Sequence, residues 1–117
     1  MNKKLILMLM ATLVCVGCAS LEQTAGKVLS STAITVDATM QGWAQWVAAG
    51  QATPEQEGRV KVAYLQYQMS MQIASSSYQI MITTGDKTQW EKARDALVAN
   101  SQALITLVNS FFPPVNH

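Results

Sequence analysis

Residues 54–85 read PEQEGRVKVAYLQYQMSMQIASSSYQIMITTG, and the spacing of apolar residues in this stretch decides the fold. Its main stripe recurs at steps of three and four residues, the spacing of one helix face: Val60, Tyr64, Tyr67, Met71, Ala74, Tyr78 and Met81. Thr53 with Gln56 has the spacing of a capping box around Pro54, and Gly85 is typical of a helix C-terminus. The stretch therefore predicts a helix over residues 54–84.

The segments before and after this stretch carry the same helical spacing. The earlier stripe consists of Leu29, Ala33, Val36, Met40, Trp43 and Val47. The later stripe consists of Trp90, Ala93, Leu97, Asn100, Leu104, Leu107 and Phe111, of which only Asn100 is polar. Such stripes, with a mean step of about 3.5 residues, are typical of helices that pack against each other at shallow angles.

Cap and turn residues separate the three segments. They are Ser20 with Gln23, Gly50, Thr53, Thr88 with Glu91, and Pro113-Pro114 at the end. We expect helices over about 21–49, 54–84 and 89–111, because short connections of this kind join neighbouring helices of a bundle. The predicted fold class is all-α, a small antiparallel three-helix bundle in up-down-up order.

The middle segment leaves three questions open. Ser75-Ser76-Ser77 and the β-branched residues near Thr84 favour a kink or two shorter helices as an alternative. No residue from Val62 to Gly85 is charged, yet the glutamines and serines of this segment make it too polar for a transmembrane span. A second apolar stripe consists of Val62, Leu65, Met69, Ile73 and Ile80. We expect the neighbouring helices to cover it; the alternative is contact with another protein or another copy of the chain.

Residues 1–18 read MNKKLILMLMATLVCVGC. Two lysines precede an apolar run, Leu5–Val16, which is shorter than the roughly 20 residues that span a bilayer and has the length of a signal-peptide core. The run ends in Val16-Gly17-Cys18, which resembles the lipobox of bacterial lipoproteins. The resemblance implies cleavage after Gly17, a diacylglycerol on the Cys18 thiol, and a fatty acyl chain such as palmitate on the new amine. Residues 1–17 are then a signal peptide and residues 18–117 a lipid-anchored helical domain.

Other interpretations of the two cysteines are weaker. Cys15 occupies a position where the lipoprotein family prefers Leu, and it is a poor acylation site itself because Val14 would then fill a small-residue position. Haem attachment through Cys15 and Cys18 needs His where Ala19 stands, and a redox pair would lose Cys15 on processing. An ordinary cleaved signal, or an uncleaved interfacial helix, remains as an alternative to the lipobox.

Location and charge follow from the same resemblance. In lipoproteins of didermal bacteria Asp after the acylated cysteine favours the inner membrane, so Ala19 implies the outer membrane, facing the periplasm. Removing Lys3 and Lys4 leaves six basic and seven acidic residues. A nearly neutral net charge argues against nucleic-acid binding through phosphate neutralisation, so we expect no nucleic-acid partner.

Catalytic and metal-binding residues are not found in the sequence. His117, the only histidine, is the last residue, where fraying makes a poor general base. Two pairs of acidic residues lie in first helical turns, where acidic side chains interact favourably with the helix dipole. They are Glu55 with Glu57, and Glu91 with Asp95. Met69 and Met71 are two residues apart and so point in different directions on a helix. We expect no enzyme activity, no metal and no cofactor.

Aromatic residues gather at one end of the predicted bundle. Only Ala19 separates Cys18 from the predicted first helix, so we expect this helix to begin close to the membrane. Its other end, where the aromatic residues lie, is then far from the membrane. The residues are Trp43, Trp46, Tyr64, Tyr67, Phe111 and Phe112. We expect most of them to fill the core. Trp46 and Phe112 lie one position off the stripes, which makes them the candidate partner-binding residues, since exposed aromatics are common anchors.

These features favour a non-enzymatic outer-membrane lipoprotein that binds a periplasmic or outer-membrane protein as an assembly accessory of an envelope machine. The analogy is with the pilot and accessory subunits of secretion and pilus systems. One alternative is a phage- or plasmid-encoded exclusion or lysis-related lipoprotein. Another is a self-associating structural envelope protein, a possible homo-oligomer.

Overall fold

The computed structural model describes the backbone of residues 3–112 and the side chains of residues 23–112. Three helices account for the regular structure of this part: α1 (Lys3–Ala48), α2 (Pro54–Thr84) and α3 (Thr88–Phe111). The predicted all-α fold with three helices is confirmed. The side chains of the lipobox and of Ser20, the Pro113-Pro114 stop and His117 lie outside the described residues.

The first helix is longer than the sequence predicts. It begins at Lys3 and ends at Ala48 in the full chain, whereas the start near residue 21, capped by Ser20, is predicted for the chain without residues 1–17 and stays a prediction. The helix of the full chain is longer because no proline interrupts residues 3–48 and because the apolar run before Cys18 is itself a good helix former. After Ala48 the backbone of Gly50 takes a φ of 74°, a left-handed conformation that glycine adopts at no steric cost.

The second helix begins with the predicted capping box. The Thr53 side chain accepts a hydrogen bond from the Gln56 backbone N–H at 3.1 Å, and the Thr53 N–H donates to Gln56 Oε1 at 3.0 Å. The helix continues without a break through Ser75–Ser77 to Thr84, so the alternative of two shorter helices is wrong. Gly85, with a φ of 77°, ends the helix as predicted.

The third helix begins differently from the prediction. Thr88 with Glu91 does not form a capping box; Lys87 is the N-cap residue and makes no side-chain capping bond. Asp86 takes this role instead, because its carboxylate accepts the Thr88 backbone N–H at 3.0 Å. That backbone bond, followed by a side-chain bond from Thr88, lowers the pKa of Asp86 below its usual value.

The predicted stripes form the core. Every one of their members is buried or half-buried, and Val36, Leu97 and Leu104 are fully buried. Helices α2 and α3 contact each other from the Tyr78–Trp90 pair, with ring centroids 5.9 Å apart, to Arg59, which lies 5.4 Å from the Phe111 ring. Helix α1 joins them at both ends: Gly26 lies beside the Tyr78 hydroxyl, and Trp43 lies 5.9 Å from Phe111.

The polar residue of the third stripe has a partner across the helix interface. Asn100 Nδ2 donates a hydrogen bond to Ser70 Oγ, and the Ser70 hydroxyl donates to the Gln66 carbonyl at 3.0 Å. Ser70 is buried and Asn100 half-buried, so this pair satisfies polar atoms that packing would otherwise leave without partners.

We expect Asn100→Ala to lower the free energy of unfolding by about 1–2 kcal/mol, since it leaves the buried Ser70 hydroxyl without its donor. Urea titration followed by circular dichroism measures this change. Combining it with Ser70→Ala should give less than the sum of the single effects, by about 1 kcal/mol. Exposed Asn109 on the same helix supplies the control, Asn109→Ala. Strictly additive effects of the Asn100 and Ser70 substitutions would show that the two side chains do not interact.

Candidate functional site

Helix α2 carries an exposed apolar stripe, here called the α2 stripe. Its members and their exposed fractions are Val62 (56%), Leu65 (49%), Met69 (63%), Ile73 (58%) and Ile80 (39%). The prediction that neighbouring helices cover these side chains is wrong. The alternative interpretation, that they are free to contact another molecule, is the one the geometry favours.

The stripe lies opposite the core because of its position in the helical repeat. Successive residues of an α-helix are rotated by about 100°. Met69 follows the buried Tyr67 by two residues, so it points about 200° away from it. Val62, Ile73 and Ile80 point in nearly the same outward direction as Met69. From Val62 to Ile80 the stripe is about 27 Å long.

Helix α2 carries no charged residue along the α2 stripe, and Glu55 and Arg59 lie beside its Val62 end. The nearest charged residues are Lys61 before it and Asp86 after it. Most of the remaining exposed positions of α2 in this range are glutamine, serine or threonine. Apolar patches rimmed by polar residues are typical of interaction sites on soluble domains. From Val62 to Ile80 the surface is therefore apolar with a polar, uncharged border on α2.

Grooves flank the α2 stripe on both sides. Toward α3 a groove of about 460 Å³ runs from Glu55 and Arg59 past Val62 to Leu107. Toward α1 a second groove, of about 360 Å³, is lined by Asp37, Tyr64, Tyr67, Gln68, Met71 and Gln72. The second groove could not be found in the sequence, because Asp37 and the two tyrosines meet only when α1 packs on α2.

Four of the six aromatic residues pair near the α1–α2 turn, Trp43 with Phe111 and Trp46 with Phe112, while Tyr64 and Tyr67 stack on each other next to Asp37. Trp43 and Tyr67 are buried, and the other four are half-buried. Trp46 and Phe112, the predicted partner-binding pair, contact each other edge-on with ring centroids 5.3 Å apart. The Phe112 ring also lies 4.0 Å from the Cβ position of Gly42. Both side chains are therefore partly occupied by contacts within the bundle.

Trp46 carries a polar atom that is left without a partner. Its indole Nε1 is buried and has no hydrogen-bond acceptor among the described residues. A buried donor of this kind costs free energy unless something satisfies it. This is the one feature of the aromatic end that still favours Trp46 as a contact residue.

Metal-ligand clusters and membrane-spanning helices are both absent from the described residues. Residues 23–112 bring no three histidine, cysteine or acidic side chains together in a way that could hold a metal ion. None of the helices has both the length and the apolar character that crossing a bilayer requires, as far as the described residues extend. Met69 is exposed and Met71 half-buried against the core, so the two point in different directions, as predicted.

Comparison with known proteins gives no relative on which to build. No model of a protein family, no curated protein and no solved structure matches this chain. The site must therefore be interpreted from its own residues.

Proposed function

We propose that this protein is a non-enzymatic lipoprotein of the outer membrane whose helical domain binds a protein partner in the periplasm through the α2 stripe. The observation that carries the proposal is the exposure of five large aliphatic side chains on one uncharged helix face. Burying a half-exposed aliphatic side chain contributes about 1 kcal/mol. The stripe as a whole therefore offers a few kcal/mol to a partner that covers it.

The proposed domain is an antiparallel bundle in up-down-up order. The pairings of α2 with α3 support this order, since Tyr78 meets Trp90, Ser70 meets Asn100 and Arg59 meets Phe111. As residue numbers fall along α2 they rise along α3. This order leaves the α2 stripe as a straight, continuous face.

The proposed anchor is acylated Cys18, on the strength of the lipobox resemblance of Val16-Gly17-Cys18. Tethering holds the domain beside the membrane and raises its effective concentration toward other envelope proteins. A modest apolar contact is then sufficient for a useful association. An accessory role in the assembly of an envelope machine fits this combination of tether, small domain and binding face.

The proposed partner presents an apolar helix face. A helix that packs along the stripe buries side chains spaced by three and four residues on both sides, which is a common mode of peptide recognition. Trp46 and Phe112, at the end of the bundle, stay proposed as supplementary contacts. Within the part of the partner's surface that covers the stripe we expect few charged residues, because α2 carries no charge from Val62 to Thr84 that would compensate them.

A charged side chain in the stripe tests the proposal. We expect Ile73→Glu to reduce recovery of the partner about tenfold, since a carboxylate would be buried without a cation. The measurement is photo-crosslinking from position 69 of the full chain in membranes, followed by mass spectrometry. Circular dichroism should show an unchanged fold because Ile73 makes no core contact.

The matched control is Gln79→Glu, which adds the same charge to an exposed position of α2 that lies off the stripe. It should leave the crosslinked product unchanged. Equal recovery from the Ile73→Glu variant and the parent would contradict the proposal. So would the loss of product in the Gln79→Glu control alone.

Self-association is the second candidate, and the same surface favours it. An uncharged apolar face can pack on its own copy around a two-fold axis without electrostatic repulsion. In that case the product crosslinked from position 69 has twice the mass of the chain and contains no other protein. The two candidates therefore give different products in one experiment.

A further inference from the structure

The groove between α1 and α2, here called the tyrosine groove, combines a carboxylate with aromatic rings. It is lined by Asp37, Tyr64, Tyr67, Gln68, Met71 and Gln72 and has a volume of about 360 Å³. Pockets that hold small ligands begin at about 300 Å³. The tyrosine groove thus has room for one small group.

Asp37 is an isolated acidic residue in the middle of the bundle. Between Val28 and Ala48 no other residue of α1 is charged. The ion pair found in the described part of the chain joins Arg94 and Asp95 on α3, and no cation among these residues lies within ion-pair distance of Asp37. The Asp37 side chain is exposed, so its charge faces the open groove.

The tyrosine rings next to Asp37 are arranged as a pair. Tyr64 and Tyr67 stack with ring centroids 5.9 Å apart and an interplanar angle of 24°. Tyr67 is buried while Tyr64 is half-exposed, so the outer ring of the pair borders the groove. The faces of aromatic rings carry negative potential, which attracts cations.

Tyr67 reports the electrostatic character of the groove. Burial raises the pKa of its hydroxyl above the usual value, and the negative charge of Asp37 raises this pKa further. The Asp37 carboxylate and the ring faces thus act in the same direction. Both disfavour a second negative charge and favour a positive one.

We propose that the tyrosine groove binds an organic cation, an alkylammonium or guanidinium group, with Asp37 as its counter-ion and the face of Tyr64 as its aromatic contact. For a ligand that carries N–H groups, as a guanidinium does, the amide oxygens of Gln68 and Gln72 are the groove's acceptors. The site is separate from the α2 stripe and does not depend on the proposed function.

The cationic group that the tyrosine groove binds can come from two sources. A free small cation would occupy the groove by itself, whereas a lysine or arginine side chain would come from a protein. The two are compared by titrating the full chain, in maltoside micelles, with choline and with acetyl-arginine amide. The signals observed are the ring resonances of Tyr64 and Tyr67. Tighter binding of choline indicates a free cation, and tighter binding of the arginine derivative indicates a protein side chain; both support the site.

Substitutions separate the two contributions. Asp37→Asn should weaken binding of the better probe about fivefold, because it removes one partly exposed charge pair. Tyr64→Phe should retain binding since the ring face remains, while Tyr64→Leu should lose it. Glu91→Gln, which removes an equally exposed acid on α3, is the matched control and should bind as the parent does.

Two results would overturn the site. One is that neither probe, at about 0.1 M, produces a saturable shift of the tyrosine resonances. This concentration would detect even very weak binding. The other is equal binding by the parent and the Asp37→Asn variant. Circular dichroism of each variant shows whether the bundle is intact.

Discussion

Leu97→Ala is expected to lower the free energy of unfolding by about 3 kcal/mol. Leu97 is fully buried on α3 in the middle of the core stripe. Removing its three outer carbons deletes apolar contacts and leaves a cavity that the helices fill only in part, and such truncations cost about 2–5 kcal/mol. For a domain of this size that is a large share of the total stability.

Urea titration of the full chain in maltoside micelles, followed by circular dichroism, measures the change. Val98→Ala is the matched control because Val98 is the next residue along the same helix and is 36% exposed. We expect it to change the free energy of unfolding by no more than about 0.5 kcal/mol. Similar losses in the two variants would mean that α3 packs through a different face.

The core was predictable from the sequence because three-and-four spacing depends only on helix geometry. Residues such as Val60, Tyr67 and Met81 on α2 share a face in any helix, and each of them is buried. The ends of α2 were predictable for a similar reason. The Thr53 capping box and the left-handed Gly85 use local chemistry, which needs no knowledge of the tertiary structure.

The start of α3 was not predictable from its capping-box spacing. Thr88 and Glu91 have the correct separation, but Asp86 reaches the Thr88 N–H first. In a capping box the Thr88 N–H would be accepted by the Glu91 side chain, so Asp86 and Glu91 compete for the same donor. Local motifs therefore compete, and the sequence alone does not show which one prevails.

The exposed stripe shows a different limit of sequence analysis. Val62 and Met69 are as apolar as the core residues, and hydrophobicity alone predicts burial. Their exposure arises because the opposite face of α2 already contacts α1 and α3. The described residues contain no further helix that could cover the outer face. Deciding between a covered and a free stripe requires the number and position of packed helices. The tyrosine groove is subject to the same limit.

The absence of charged residues from Val62 to Thr84 of α2 has a consequence for the specificity of the proposed binding surface. Charged rims usually exclude wrong partners by repulsion and by the cost of unpaired charges. Here only shape and apolar contact can discriminate. Trp46, at the end of the bundle, and the tyrosine groove, between α1 and α2, have the polar groups that the stripe lacks. A partner that used the stripe together with either of these would be recognised with more selectivity.

The largest effect is expected at Cys18. In the proposed anchor its thiol carries the diacylglycerol, so Cys18→Ser should abolish lipid attachment and leave residues 1–17 uncleaved. Metabolic labelling with palmitate should fall to background, and the chain should migrate more slowly on a gel. Two or three acyl chains hold a protein on a bilayer almost permanently, whereas one chain does so only marginally.

Cys15→Ser provides the matched control, since it changes the other cysteine of the segment and leaves the proposed acylation site intact. Labelling, cleavage and fractionation should then equal those of the parent, because Cys15 lies in the peptide that is removed. Palmitate incorporation into the Cys18→Ser variant at the level of the parent would contradict the anchor. So would its loss in the Cys15→Ser variant, which would move the attachment to that thiol. The exposure of the α2 stripe would be unaffected by either result, since it depends on packing within residues 23–112 and not on the lipid.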